Sequence, residues 1–340
     1  MAARALLHAT TLGANALVVL AVAVAIAAAA AVAAAGTAVA QAYPAKPIRL
    51  IIPFPPGGGS DVTGRIVAMA MSERLGTQMV VDNRAGAGGI IGTELAANAA
   101  RDGYTLLVAS LAHVVSPWLY DLKGRFDPIR SFAPVAIVAG SPIVLVVHPG
   151  VPARSVAELL ALARKNPGKL QYASAGVGSV SHLAAELFNY TAKVDMLHVP
   201  YKGAGAATVD VVAGHANLTF GGLLATVPHV RAGRLRALGV GSLQRNPILP
   251  DVPPIAEAGV PDYETVNWFG LLAPAGTPAA LIERLHREVT AVQELPEIRK
   301  QLDNDGATVL RMTPPQFGAY MAADMEKWGR VVKAAGIKAN

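Results

Sequence analysis

Not one of the 340 residues is cysteine. A disulfide framework, a thiolate nucleophile, a thiolate-bound metal and a lipid-modified N-terminal cysteine are therefore excluded, and folding must rest on apolar cores. Charge is also scarce: 15% of residues are charged against 53% apolar, a balance of globular rather than disordered chains. The net charge of +6 is spread without a Lys/Arg block, which argues against a nucleic-acid partner. A mild positive excess suits an anionic small ligand. The motifs G-x-S-x-G, H-E-x-x-H and G-x-x-x-x-G-K-[ST] are missing, so the local signatures of hydrolase, zinc protease and P-loop chemistry are absent. Ser179 or Ser181 beside His182 comes nearest to a nucleophile and base. Neighbours within one helical turn rarely reach proton-transfer geometry, and no acid partner is marked. The other histidines from His113 onward (His113, His148, His198, His215, His229 and His286) stand isolated along the chain, which supports no metal site. Neither a catalytic residue nor a cofactor is expected.

What is present begins with residues 1–42. They hold one charge, Arg4, then an Ala/Val-rich run from Leu17 to Ala35, then Ala38-Val39-Ala40 and Ala40-Gln41-Ala42. A basic start, an apolar middle and an A-x-A end describe a secretory signal peptide. A membrane anchor is the competing reading, since the run is long enough to span a bilayer, but alanine is only weakly apolar. No second run of that length follows Tyr43, so the exported protein is expected to be soluble, periplasmic and monomeric.

From there the chain alternates β-branched runs with helix-period runs. Strands are expected at 48–52, 79–81, 105–109, 143–147, 170–174, 196–199, 218–220, 235–240 and 266–272. Helices are expected at 61–75, 90–100, from Ser155, from Ser179, at 204–213 and 224–231, with two more after Thr277-Pro278 and Thr313-Pro314. Ser155 with Glu158, and Thr313 with Gln316, have capping-box spacing; Pro278 follows a cap residue at the first helical position. Alternating β and α segments argue for a mostly parallel sheet covered by helices. Two such series and a returning C-terminal segment predict an α/β fold of two lobes, 43–142 with 265–340 and 143–264. The chain would cross between them near 141–146 and 262–268.

The segment Phe54-Pro55-Pro56-Gly57-Gly58-Gly59-Ser60-Asp61 follows a strand and opens a helix. Its glycines leave backbone N–H groups uncovered, and the helix start adds unpaired N–H groups and a partial positive charge. Together these make an anion site, with Ser60 or Asp61 capping the helix; a plain strand-to-helix turn is the simpler reading. Ser174-Ala175-Gly176-Val177-Gly178-Ser179 repeats the logic before a second helix. His182, in its first turn, either donates to a ligand or locks the loop. Gly86-Ala87-Gly88-Gly89 fails the dinucleotide spacing at Ile91 and shapes a turn.

These segments resemble the Bug/TctC family of periplasmic solute receptors, the binding components associated with tripartite tricarboxylate transporters. The resemblance covers residues 43–340. It rests on Tyr43-Pro44-x-Lys46-Pro47-Ile48, the 53–61 loop, Asn83-Arg84-x-Gly86-Ala87-Gly88-Gly89, Asp102-Gly103-Tyr104-Thr105-Leu106 and the 172–183 loop. His198-Val199-Pro200-Tyr201-Lys202-Gly203, Leu249-Pro250-Asp251-Val252-Pro253 and the run from Trp268 to Pro278 complete it. The resemblance implies a Venus-flytrap fold closing on a small carboxylate in a cleft between lobes, with a membrane permease as partner. It also implies main contacts from the 53–61 and 174–182 loops, partly through bridging waters. By position, Ser110 and His113 join them from the first lobe, and Tyr201, Lys202, Gly203 and Gly221 from the second. Lys202 either pairs with a carboxylate or is solvated. The family commonly has an Asp after the 218–220 strand; here Gly221-Gly222-Leu223-Leu224 implies a ligand without an amino group. An orphan receptor presenting its ligand to a sensor kinase, and an exported hydrolase, are the alternative functions.

Overall fold

The first strand, β1 (Ile48–Ile52), is almost wholly apolar and buried, as a strand covered on both faces must be. It leads into α1 (Gly59–Leu75), which ends on Gly76 in the left-handed conformation, a common glycine stop. The computed structural model describes residues 43–304 and 306–338; the expected signal peptide, 1–42, lies outside the described residues. From Lys46 onward the chain forms one compact unit.

After α1 come β2 (Met79–Asn83), α2 (Ile90–Ala97), β3 (Thr105–Ser110), α3 (Leu111–Leu119) and β4 (Phe132–Val147). Then follow α4 (Val156–Lys165), β5 (Gln171–Ser174), α5 (Val180–Ala192), β6 (Leu197–Pro200), α6 (Ala204–Val212), β7 (Leu218–Gly222), α7 (Leu223–Arg231) and β8 (Arg236–Val240). The chain closes with β9 (Val266–Pro274), α8 (Ala279–Glu294), α9 (Pro296–Asn304), β10 (Thr308–Val309) and α10 (Pro314–Ala334). α3, α9 and β10 are additions to the sequence-based expectation.

The strands join in the order β2-β1-β3-β9-β4-β7-β5-β6, with β8 and β10 also paired to β4. β1 runs parallel to β2 and β3, and β5 parallel to β6 and β7. Every pairing made by β4 or β9 is antiparallel, so the expectation of a mostly parallel sheet is corrected to a mixed one. β4 decides the architecture. Its first part, Phe132 to Pro142, pairs with β9; its last, Ile143 to Val147, pairs with β7 and β8. Only 143–147 was expected as strand; the rest contains Pro134, Gly140 and Pro142, residues that strand interiors disfavour. The register shifts between Pro134 and Ala136 and between Ile137 and Ala139, so the strand carries its irregularities as bulges.

The C-terminal helices cover this frame. α8 buries Leu281, Leu285, Val289 and Val292, one face at helical spacing. Thr277 does not cap it: Pro278 holds the cap position, and the Thr277 hydroxyl donates to the carbonyl of Pro274 at 2.8 Å. α10 buries Phe317, Met321, Trp328 and Val331. Trp268 of β9 meets Phe317 edge-on at 5.5 Å and donates its indole N–H to Asp324 at 2.8 Å. The capping box of Thr313 and Gln316 is present. Replacing Thr313 with alanine should lower the unfolding free energy by about 1 kcal/mol, measured by urea denaturation. Ser155 accepts from the Glu158 N–H, but the Glu158 carboxylate accepts from Arg154 rather than from the cap residue itself.

Candidate functional site

All the candidate residues sit at carboxyl ends of parallel strands. Phe54 to Asp61 follow β1, Ser110 ends β3 and His113 lies just beyond it. Ser174 ends β5 and Ala175 to His182 follow it, Tyr201 to Gly203 follow β6, and Gly221 lies near the end of β7. In open α/β sheets this edge is where ligands are held. Strand direction places the two edges opposite each other. β4 runs antiparallel to β9, which is itself antiparallel to β3, so β4 leaves the first group at the carboxyl edge of β1 and β3. It then enters the second group antiparallel to β7, whose carboxyl end points back along β4. Ser110 pairs with Phe269 and Phe269 with Ala139, while Gly222 pairs with Ile143. Four residues of β4 separate these levels, at most about 13 Å of strand.

The first loop is exposed from Pro55 to Gly59. The helix begins earlier than expected: Gly58 is the cap residue and no side chain caps it, which corrects the assignment of Ser60 or Asp61. Asp61 instead lies in the first turn, 3% exposed. Its carboxylate accepts from the Gly57 N–H at 2.9 Å, Asn83 Nδ2 at 2.9 Å and Arg65 Nε at 3.0 Å. Burial pushes this carboxyl up, and the Arg65, Gly57 and Asn83 bonds outweigh it, leaving the pKa below the ordinary carboxylate value. Asp61 is thus fully engaged in shaping the loop. The N–H groups of Gly59 and Ser60 open the helix and have no partner in its own ladder. Gly59 is required by close approach: a Cβ there would stand 2.8 Å from the Phe269 ring.

The second loop is knitted from within. The N–H of Ala175 donates to Ser181 Oγ at 2.9 Å, that of Gly176 to Ser174 Oγ at 3.1 Å, that of Gly178 to His182 Nδ1 at 3.0 Å and that of Ser179 to the Gly176 carbonyl at 3.1 Å. Ser179 caps α5 by accepting from His182 N–H at 3.3 Å. The donors left over include those of the helix start at Val180 and Ser181. The Gly203 N–H is held by the Ala175 carbonyl, and the Tyr201 hydroxyl donates to Asp210 at 2.7 Å. Lys202 is exposed. Gly178, at φ 75°, lies against Leu119 from α3: a Cβ would stand 2.8 Å from its Cδ1. The end of α3 therefore touches the second loop.

His113 is buried, donating Nε2–H to the Pro128 carbonyl at 2.8 Å and lying edge-on to Phe132 at 5.1 Å. Burial lowers its pKa to about 4. With Phe54, Gly88, Gly89 and Ser110 it borders a cavity of about 10 Å³, the room of one water. Gly221 pairs with Val144. Leu223, which follows Gly221 and Gly222, is core rather than pocket wall, 1% exposed and packed on Gly306. A separate groove over Arg49, Val80 and Arg84 lies at the β2 edge, its arginines paired with Asp82 at 2.5 and 2.9 Å.

His198, which stands isolated along the chain, is not isolated in space. Its ring lies on that of His182 at 3.9 Å and on Tyr172 at 4.9 Å, and its Nε2 is 2.6 Å from Ser174 Oγ. The register of β5 on β6 places Tyr172 beside His198, and only that register reveals the group. A serine this close to an imidazole suggests a nucleophile and its base. Ser174, however, is 0% exposed and its oxygen already accepts from Gly176. The arrangement shapes a loop.

The sequence profile of the tripartite tricarboxylate transporter family receptor matches residues 63–337. The chain belongs to this family. Its family relatives include the UPF0065 protein in the tcbD-tcbE intergenic region of Pseudomonas sp. (strain P51), 41% identical over 88% of this chain and 89% of that protein. Among solved structures, R. palustris Rpa4515 with adipate superposes with a TM-score of 0.74, 35% identity and coverage of 87% of this chain and all of that one. MatC from Rhodopseudomonas palustris with bound malate gives 0.71, 31% identity and coverage of 85% and 100%. The family's fold, the two-lobe α/β fold of periplasmic binding proteins, is the fold of this chain, and its members are solute-binding receptors of the periplasm.

Proposed function

We propose that this protein is an exported solute receptor that captures a small carboxylate-bearing molecule for a tripartite tricarboxylate-type permease. The observation that carries this reading is the placing of two glycine-lined helix starts on carboxyl edges that β4 turns toward each other. Unpaired N–H groups at Gly59 and Ser60 on one side, and at Val180 and Ser181 on the other, suit a carboxylate. The lobes are 43–142 with 265–340, and 143–264, divided where β4 changes partners. Phe54 to Ser60 and Ser110 line the first face; Ala175 to Ser179, Lys202, Gly203 and Gly221 line the second. Asp61, Ser174, His182 and Tyr201 hold these loops in shape. Contacts from both lobes favour a closed state over an open one. The adipate and malate bound by the two similar proteins support a carboxylate as ligand.

The test is a thermal-shift series with the exported chain and adipate, malate, benzoate and leucine, followed by calorimetry. Ligand that binds only the folded state raises the melting temperature, by the equivalent of about 2.7 kcal/mol at a hundredfold excess over Kd. We expect shifts with carboxylates lacking an amino group, and their loss in Gly59→Val, which drives a side chain into Phe269. A shift with leucine alone would overturn the ligand class. Unchanged affinity in Gly59→Val would remove the first loop from the site.

A further inference from the structure

Two imidazoles lie under the second loop, and the capture of an anion by backbone N–H groups does not by itself require either. His182 Nδ1 accepts from the Gly178 N–H. A nitrogen that accepts carries a lone pair, so this ring is neutral with its proton on Nε2. His198 Nε2 meets Ser174 Oγ, and Ser174 Oγ in turn accepts from the Gly176 N–H. Gly178 is therefore held by one imidazole directly and Gly176 by the other through a serine. The rings are stacked within 8° of parallel at 3.9 Å, so the position of each fixes that of the other. Both are partly or fully withdrawn from water, and two charges at that separation would oppose each other.

We infer that His198 is a positioning residue for ligand capture, holding the second loop through Ser174 and through the ring of His182, and that the loop keeps its shape only while His182 is uncharged. A proton on Nδ1 would set one N–H against another at Gly178 and break that bond. The inference rests on the reading of this loop as half of the ligand site. The surroundings favour the neutral ring. From β5, Tyr172 donates its hydroxyl to Glu186 of α5. Burial raises the Glu186 carboxyl; the Tyr172 and Asn189 bonds oppose this and the nearby charge of Asp195 adds to it. α10 packs on α5, but its Asp324 and Lys327 pair with each other at 2.7 Å. α3, which reaches the loop through Leu119, brings no carboxylate or cation beyond the buried His113. Burial, with the neighbouring His198, lowers the pKa of His182 to about 4.

The experiment is amide hydrogen exchange by NMR on the ligand-free, ¹⁵N-labelled protein, with His198→Phe and His198→Gln beside the wild type at pH 7. Phenylalanine keeps a stacked ring and removes the nitrogen, so the Gly176 amide should exchange at least tenfold faster. Glutamine can restore a polar contact to Ser174 but removes the ring, so Gly176 should recover while Gly178 exchanges at least tenfold faster. In the wild type, protection of Gly178, corrected for intrinsic exchange, should fall as His182 protonates near pH 4. Changes below tenfold at both amides, or Gly178 protection that persists after His182 titrates, would overturn the inference. The wild-type titration decides the matter if the variants do not fold. Adipate calorimetry at pH 7 separates the two readings. No binding of adipate or malate with the exchange pattern as expected would count against the receptor, whereas wild-type affinity in His198→Phe would count against positioning alone.

Discussion

Asp61→Ala is expected to lower the unfolding free energy by about 3 kcal/mol, the scale of breaking a buried, charged hydrogen-bond network, and to weaken carboxylate binding at least a hundredfold. The carboxylate joins three pieces of chain: the glycine loop through Gly57, its own helix through Arg65, and the end of β2 through Asn83. Asn83 also donates to the Phe54 carbonyl at 3.0 Å, so the loop is tied at both ends. Without Asp61, the Gly57 N–H and one N–H of the Asn83 amide lose their acceptor beneath the loop. Arg65, half exposed, keeps its bond to Asn83 Oδ1 at 3.0 Å and loses its ion pair. The remaining donors at Gly59 and Ser60 then lose their aim, and preorganisation is what lets backbone N–H groups hold an anion tightly. Urea denaturation and calorimetry with adipate measure the two effects. Wild-type affinity in a destabilised Asp61→Ala would show that the loop keeps its shape unaided.

Stability should also fall as the pH drops from 6.5 to 4. His113 and His182 are both held neutral, with pKa lowered by burial to about 4 against 6.5 in the unfolded chain. Across that window the unfolded state binds more protons than the folded one, so each ring removes up to about 3 kcal/mol by pH 4 and little more below it. Glu186, whose carboxyl is raised in the fold by burial, works in the opposite direction. Asp61, Asp82 and Asp210 have lowered values, so their stabilisation is lost only below about pH 4. Urea midpoints at pH 7, 6, 5 and 4.5 should therefore decline steadily. His198, also lowered by burial, adds to the decline, and His113→Phe, whose ring fits beside Phe126 and Phe132, should remove a clear part of it. A flat profile over this range would show that neither ring is buried as described.

Much of this was legible where a feature depends on neighbours in sequence. The end of α1 at Leu75, the Thr313–Gln316 box and the start of α5 at Ser179 are set by residues within four positions of one another. Expectations failed where long-range pairing overrode a local sign. Strand interiors disfavour proline, yet Pro134 and Pro142 lie within β4 because bulges and the β9 partner accommodate them. α3 was missed because Ser110 caps it without a side-chain bond and Pro117 interrupts it. Thr277 has the residue type of a cap but donates backward to Pro274.

The sequence by itself determined the βα units, the two glycine-lined helix starts and, through its many matching segments, the receptor family. These follow from local backbone preferences and residue order. Only the tertiary structure decided that β4 carries both groups of strands and so turns their carboxyl edges toward each other. The same holds for Asp61 meeting Asn83, for Leu119 closing on Gly178, and for His198 lying on His182. Each of these joins residues 16 or more positions apart, and strand register, which no local pattern encodes, sets where they meet.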